Sequence, residues 1–266
     1  MPTLIRDGQR VVYSALGSGP NTVLLVHNLL SQRGSFAEVA SHLAHRCRAV
    51  AVDLRGHGES GGAPRAFSVH DLAEDLVAVM DALAVERAVL VGTSLGATVS
   101  ALVAVEQPSR VSGLVLMSAT PHAASARDRL RFASLATVLR TLGPGPVMPA
   151  ILGQLFGASY RRRAAEEVAA TAAQIRATAR RDLAWSIRAW TGRPELAGRL
   201  RGIEAPTRVV IGAEDTACPR RFGEAIAAEV PGATLHVVAG SGHSLQLEQA
   251  TAVAAVIDGL LGQLPP

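Results

Sequence analysis

Lysine is absent from this 266-residue chain, in which all 26 basic residues are arginine. A Schiff base, a Ser-Lys dyad, a P-loop and a Tyr-Lys hydride-transfer pair each require the ε-amine, so none of them can be built here. Cysteine is nearly absent too: Cys47 and Cys218 are too few for a disulfide framework and lack metal-ligand spacing, which leaves one buried thiol and one loop thiol as the expectation. His42 and His45 share one helical turn without a third ligand in view, so no metal and no cofactor is expected. There is no apolar run of about 20 residues to span a membrane, and the first ten residues lack the apolar stretch of a secretory signal. A cytoplasmic protein is expected on those grounds.

Acidic charge is scarce in one segment only. Residues 121 to 205 carry 14 arginines against 6 acids, whereas the rest of the chain carries 12 against 16, so the net charge of +4 is the property of a segment. That distribution gives no reason to expect a nucleic-acid partner. A hydrophobic content of 48% with 18% charged residues is that of a globular chain, whose length fits one α/β domain, with or without a small inserted subdomain, better than two equal domains.

What is present is a regular alternation. Leu4 to Arg6 and Arg10 to Leu16 read as strands about the turn Asp7-Gly8. The runs Thr22 to Val26, Arg48 to Val52, Arg87 to Val91, Gly113 to Met117 and Thr207 to Ile211 are short and continuously apolar, as strands covered on both faces must be. Thr234 to Val238 adds a last strand. Helical patterns separate them: Phe36 to Ala44, a helix capped by Ser68 with Leu72, Leu76, Val79, Met80 and Leu83 on one face, Ala97 to Gln107, a helix reaching Glu229, and one final helix to about Leu264. The order βαβαβ predicts a parallel sheet with helices on both faces and ligands at the carboxyl ends of its strands.

One strand-to-helix junction is chemically distinctive. Gly92-Thr93-Ser94-Leu95-Gly96 has the form G-x-S-x-G, in which a serine on a sharp turn is lifted out of the sheet while small residues two before and two after let the chain reverse. The following helix aims its free N–H groups and positive dipole end at negative charge developing nearby. By itself the pattern is common enough to arise as a glycine-rich turn with a capping serine. Its context is provided by the other strand ends: His27-Asn28, the loop Asp53 to Ser60, the adjacent acids Glu214 and Asp215, and Gly242-His243-Ser244.

Taken in order, these motifs resemble the α/β-hydrolase family of serine hydrolases across nearly the whole chain outside residues 122–201. The resemblance implies an α/β-hydrolase fold: a mostly parallel twisted sheet with an antiparallel N-terminal strand, helices on both faces and an inserted helical cap. The core would comprise 1–121 and 202–266, and the cap 122–201. It further implies Ser94 as nucleophile, Asp215 rather than Glu214 as the acid, His243 as the base, and the backbone N–H groups of Leu29 and Leu95 as oxyanion donors. His27 and His57 would then be structural.

One departure from the family pattern is Asn28, where most members carry glycine. Asparagine tolerates the left-handed backbone region, and its amide is a candidate donor to substrate. Asn at this place is similar to the oxyanion loop of 3-oxoadipate enol-lactonases, which act on a lactone bearing a carboxylate; the arginine-rich cap would suit such an anion. Five of the nine aromatic residues lie in the cap, and among them Trp185 and Trp190 are candidate walls of a pocket for an apolar or aromatic group, with His122 at the cap's opening. The expected partner is a small molecule, anionic or aromatic. The expected reaction is hydrolysis of an ester or lactone. A carbon-carbon bond hydrolase or cofactor-free perhydrolase on the same triad is the second reading, and a non-catalytic receptor on the same fold the third.

Overall fold

The apolar runs all become strands in the computed structural model, which describes residues 2–265. Strands β1 (Thr3–Arg6), β2 (Gln9–Leu16), β3 (Thr22–Val26), β4 (Arg48–Val52), β5 (Ala88–Thr93), β6 (Val111–Met117), β7 (Thr207–Gly212) and β8 (Thr234–Val238) form one sheet in the order β1-β2-β4-β3-β5-β6-β7-β8. β1 and β2 form an antiparallel hairpin, β2 runs antiparallel to β4, and every later pairing is parallel. The hairpin turns through Asp7 and Gly8, both at positive φ (50° and 70°), the backbone hand that matches strand twist.

The sheet is double-faced because side chains alternate along each strand. Leu24, Val50, Leu90 and Leu114 point to one core, and Val23, Ala49, Val89 and Val115 to the other. The second core is closed by α1 (Ala37–Leu43) and α11 (Ala250–Leu261), the first by α2 (Val69–Ala82), α3 (Leu95–Glu106) and α9 (Arg220–Glu229). α2 begins as its sequence suggests: Ser68 Oγ accepts from Asp71 N (3.2 Å) and Asp71 Oδ2 accepts from Ser68 N (2.8 Å), a complete capping box. Its buried stripe Leu72, Leu76, Val79 and Met80 then seals the sheet, each side chain stabilising by about 1.5–3 kcal/mol relative to exposure. The expected single C-terminal helix is two. α10 (Leu245–Glu248) is separated from α11 by Gln249, whose φ of −147° leaves the helical region.

Between β6 and β7 the chain inserts five helices: α4 (Ala126–Thr141), α5 (Met148–Leu155), α6 (Ala158–Arg163), α7 (Ala165–Ala177) and α8 (Arg180–Thr191). They have a small core of their own, including Leu139, Ile175, Leu183 and Ile187, which also takes in Leu30 from the loop after β3. α8 is moored to the sheet's loops, since Asp182 Oδ2 accepts from Gly62 N (2.6 Å) and Arg181 Nη2 donates to Ala63 O (3.0 Å). The chain returns where it left: Leu196 N and Ala197 N both donate to Pro121 O. Among the described residues no helix is long and apolar enough to cross a membrane.

Candidate active site

Ser94 sits between β5 and α3 with φ 52° and ψ −108°, outside the usual regions for a non-glycine residue. The surroundings over-determine this strained turn. Ser94 N donates to Met117 O of the neighbouring strand (2.9 Å). A Cβ on Gly92 would lie 2.3 Å from the Gly96 carbonyl, and one on Gly96 would lie 2.1 Å from Val26 O, so both glycines are required by close backbone approach.

His243 follows β8 on the loop before α10. Its Nδ1 lies 3.0 Å from Asp215 Oδ2 and 3.2 Å from Oδ1. Asp215, after β7, also accepts at Oδ1 from Ala217 N (2.9 Å) and Cys218 N (2.8 Å). Burial pushes the Asp215 carboxyl up, but the adjacent imidazole, its hydrogen bond and the Cys218 N–H outweigh burial and hold it below the usual carboxylate range. An ionised Asp215 can only accept, so Nδ1 carries the proton and Nε2 is left as the basic nitrogen. Ser94 and His243 both line one cavity of about 620 Å³. Among the described residues the N–H groups of Leu29 and Leu95 donate to no backbone carbonyl, and Leu29 borders the same cavity.

The neighbouring acid does something else. Glu214 turns toward the insertion, where its carboxylate accepts from the backbone N–H (2.8 Å) and hydroxyl of Ser159. The two acids, alike in sequence, are separated by which way each side chain leaves the loop. His27 and His57 are buried, and burial lowers their pKa to about 4 and about 3, so both rings are neutral. His27 ties two loops together, its Nδ1 bonding Asn28 O (2.8 Å) while Nε2 accepts from Leu54 N (3.0 Å).

Of the other candidate contacts, His122 and Trp190 line the cavity. Asn28 and Trp185 do not. The Asn28 side chain lies outside the cavity, where its Oδ1 accepts from Gln246 Nε2 (2.9 Å); Gln246 in turn accepts from Thr93 Oγ1 (3.0 Å). The amide expected to face substrate is thus committed to joining the loop after β3 to α10 and, through Gln246, to the end of β5. Trp185 is half-buried outside that cavity, with the Arg181 guanidinium 4.7 Å over its ring. Both cysteines are buried, and Cys218 forms part of the cavity wall. Among the described residues no three His, Cys, Asp or Glu side chains are grouped to hold a metal ion.

Glu248 carries no motif signal yet belongs to the site's framework. Its Oε2 accepts from Gly242 N (2.8 Å) and Gly157 N (3.0 Å), and its Oε1 from Ser244 N (3.1 Å), so one buried carboxylate grips both residues flanking His243 and the insertion's α5–α6 turn. Burial pushes its pKa up. The sequence offers only its spacing, five residues after His243.

A strained serine at a strand-to-helix turn, a histidine held by a buried aspartate, and the Leu29 backbone on one cavity make a site suited to attack on a carbonyl. The α/β hydrolase fold family model matches residues 21–250, and the chain belongs to that family. It is 32% identical over 211 residues to the putative carbamate hydrolase RutD of Variovorax paradoxus, covering 76% of this chain and 77% of that protein. A thermophilic esterase from Thermogutta terrifontis, solved with malate bound, superposes with a TM-score of 0.92 at 26% identity, covering 98% and 96% of the two chains. The enol-lactonase of Burkholderia xenovorans LB400 shares the fold, with a TM-score of 0.91 at 23% identity over 98% and 100%.

Proposed function

We propose that the protein is a serine hydrolase that cleaves a small-molecule carboxylic ester or lactone through an acyl-enzyme, with α4–α8, within residues 122–201, acting as a cap over the site. The observation that carries this reading is Ser94 on its strained turn in one cavity with His243, whose Nδ1 is bound to Asp215. The esterase among the solved structures supports the ester, and the relative named as a carbamate hydrolase supports attack on a carbonyl bonded to a leaving heteroatom.

The chemistry follows from the groups. As Ser94 Oγ attacks the carbonyl carbon, His243 Nε2 takes its proton and Asp215 stabilises the imidazolium that forms. The carbonyl oxygen becomes an oxyanion facing the N–H groups of Leu29 and Leu95, where one such donor typically contributes about 2.7–4 kcal/mol of transition-state stabilisation. His243 then returns the proton to the leaving oxygen, which departs from an ester and stays tethered in a lactone. Water, deprotonated by the same nitrogen, repeats the attack and frees Ser94. Beyond substrate and water, each of these steps is served by a group of the chain.

The test is labelling and turnover together. A fluorophosphonate is expected to modify Ser94, and Ser94→Ala is expected to lose labelling and at least about 10³-fold in kcat on a panel of esters and lactones. Unchanged turnover by Ser94→Ala, or labelling at another serine, would overturn the reading.

A further inference from the structure

The cavity wall contains a charge that the hydrolytic machinery does not use. Arg193, just beyond α8, is only 8% exposed and lines the same cavity as Ser94. Its Nε donates to His122 O (2.8 Å), its Nη1 to Trp190 O (3.0 Å), and its guanidinium carbon lies 4.0 Å from the centre of the Trp190 ring. The group is therefore fixed in position by two carbonyls and an aromatic face. Among the described residues, Asp128 and Glu195 act on it only from beyond ion-pair distance, and Nη2 has no protein acceptor although it is not sealed from solvent. A buried guanidinium stays charged at any physiological pH, and a buried charge left without a counter-ion is costly.

The protein treats its other deeply buried arginine differently. Arg55 is fully buried and meets Asp75 through two hydrogen bonds of 2.9 and 2.7 Å. Arg193, 8% exposed, has no such partner. The rest of the cavity offers no ion-pair partner either: Arg131 and Arg221 also line it, and among the described residues the one acid on the wall, Asp128, has its Oδ2 bonded to Ser125 at the start of α4. Three guanidinium groups against one carboxylate leave the lining with an excess of positive charge. With Nε and Nη1 each donating to a carbonyl, the Nη2 N–H groups are the donors left for a charged acceptor such as a carboxylate oxygen.

We infer that Arg193 anchors a carboxylate carried by the substrate, so that the protein prefers esters or lactones bearing a free carboxylate away from the scissile bond over neutral molecules of the same length. The inference rests on the serine-hydrolase reading for its reaction but not for its binding contact. Arg193 is thereby a specificity-determining residue, with Trp190 and His122 as the supports that hold it.

The experiment compares mono-p-nitrophenyl esters of adipate, pimelate and suberate with the p-nitrophenyl esters of hexanoate, heptanoate and octanoate. For the wild type the carboxylated ester is expected to have the higher kcat/KM at one length or more. In Arg193→Gln the ratio of carboxylated to neutral kcat/KM is expected to fall by about tenfold to a hundredfold, the range of a charge-assisted pair, with Arg193→Lys in between. A wild type indifferent to the carboxylate at every length, or a ratio unchanged in Arg193→Gln, would overturn the inference. A binding arm covers a poorly folding variant and a failed hydrolase reading alike: pimelate is expected to raise the wild type's Tm, the effect fading with salt, while pimelamide does not. Equal shifts from both compounds, or none from either, would sink the anchor. Absence of ester turnover and of Ser94 labelling, with the pimelate shift intact, would sink only the reaction.

Discussion

The strand-end loops and the inserted helices hold their functional side chains by different means. In the loops, buried carboxylates accept backbone N–H groups: Asp215 fastens its own turn and His243, and Glu248 fastens the turn on which His243 sits. In the insertion, guanidinium groups lie over aromatic rings, Arg193 on Trp190, Arg163 on Tyr160 and Arg181 on Trp185, at 4.0, 5.1 and 4.7 Å. Backbone N–H groups occupy fixed positions once the strands are paired, so the first arrangement is rigid and suits groups that must meet within a fraction of an ångström. Stacked guanidinium groups keep free edges for a ligand, which suits selection of a substrate.

The largest test of that contrast is Asp215→Asn, expected to keep the fold but lower kcat about 10⁴-fold, because an amide can present a donor to Nδ1 and favour the wrong tautomer. A drop smaller than tenfold in steady-state assays would mean the loop does not depend on its carboxylate. Glu248→Gln is next. It replaces one of two buried acceptor oxygens with a donor, leaving at least one of three N–H groups unmatched, and should cost about 1–3 kcal/mol of stability and lower kcat with little change in KM. Denaturant titration and steady-state kinetics read the two effects separately, and an unchanged kcat would confine Glu248 to joining core and insertion.

On the insertion side the effects should appear in KM. Trp190→Phe, which trims the ring under Arg193, is expected to raise KM severalfold, whereas Trp185→Phe, outside the cavity, should leave it unaltered. Equal shifts in both would erase the distinction between inner and outer stacked pairs.

The smallest effect concerns α2, remote from both regions. Burial pushes the Asp71 carboxyl up, but its hydrogen bonds from Ser68 and the nearby Arg65 outweigh that and bring its pKa to about 2, below the ordinary 3.8. Its contribution is therefore full above pH 3.8 and is lost as pH falls from there toward 2. Ser68→Ala should destabilise the protein by about 1 kcal/mol at neutral pH and flatten that acid limb, as thermal unfolding between pH 2 and 5 would reveal.

Local chemistry made part of this legible before any coordinates. The strands declared themselves as continuous apolar runs because both faces of a parallel sheet are covered, and the capping box at Ser68 needs only a short spacing. Gly92 and Gly96 could be read as necessities of the turn, and the structure supplies the collisions, 2.3 and 2.1 Å, that make them so. Other features depend on where the chain meets itself. Neither the spacing nor the composition distinguishes Glu214 from Asp215; Ser159, 55 positions upstream of Glu214, captures one acid and frees the other for His243. Asn28 looks available until Gln246, 218 residues away, is folded against it.

The sequence by itself determined the strand order of motifs, the strained turn at Ser94 and the acid-then-histidine succession at the last two strand ends, because each rests on neighbours within a few positions. Only the tertiary structure decided that Trp190 lines the cavity while Trp185 lies outside it, that Glu248 grips the histidine loop, and that Arg193 is buried without a carboxylate. An arginine in an arginine-rich segment carries no mark of its partner. Burial and the absence of a nearby carboxylate are properties of packed space, and they exist only once helices distant in the chain have closed around it.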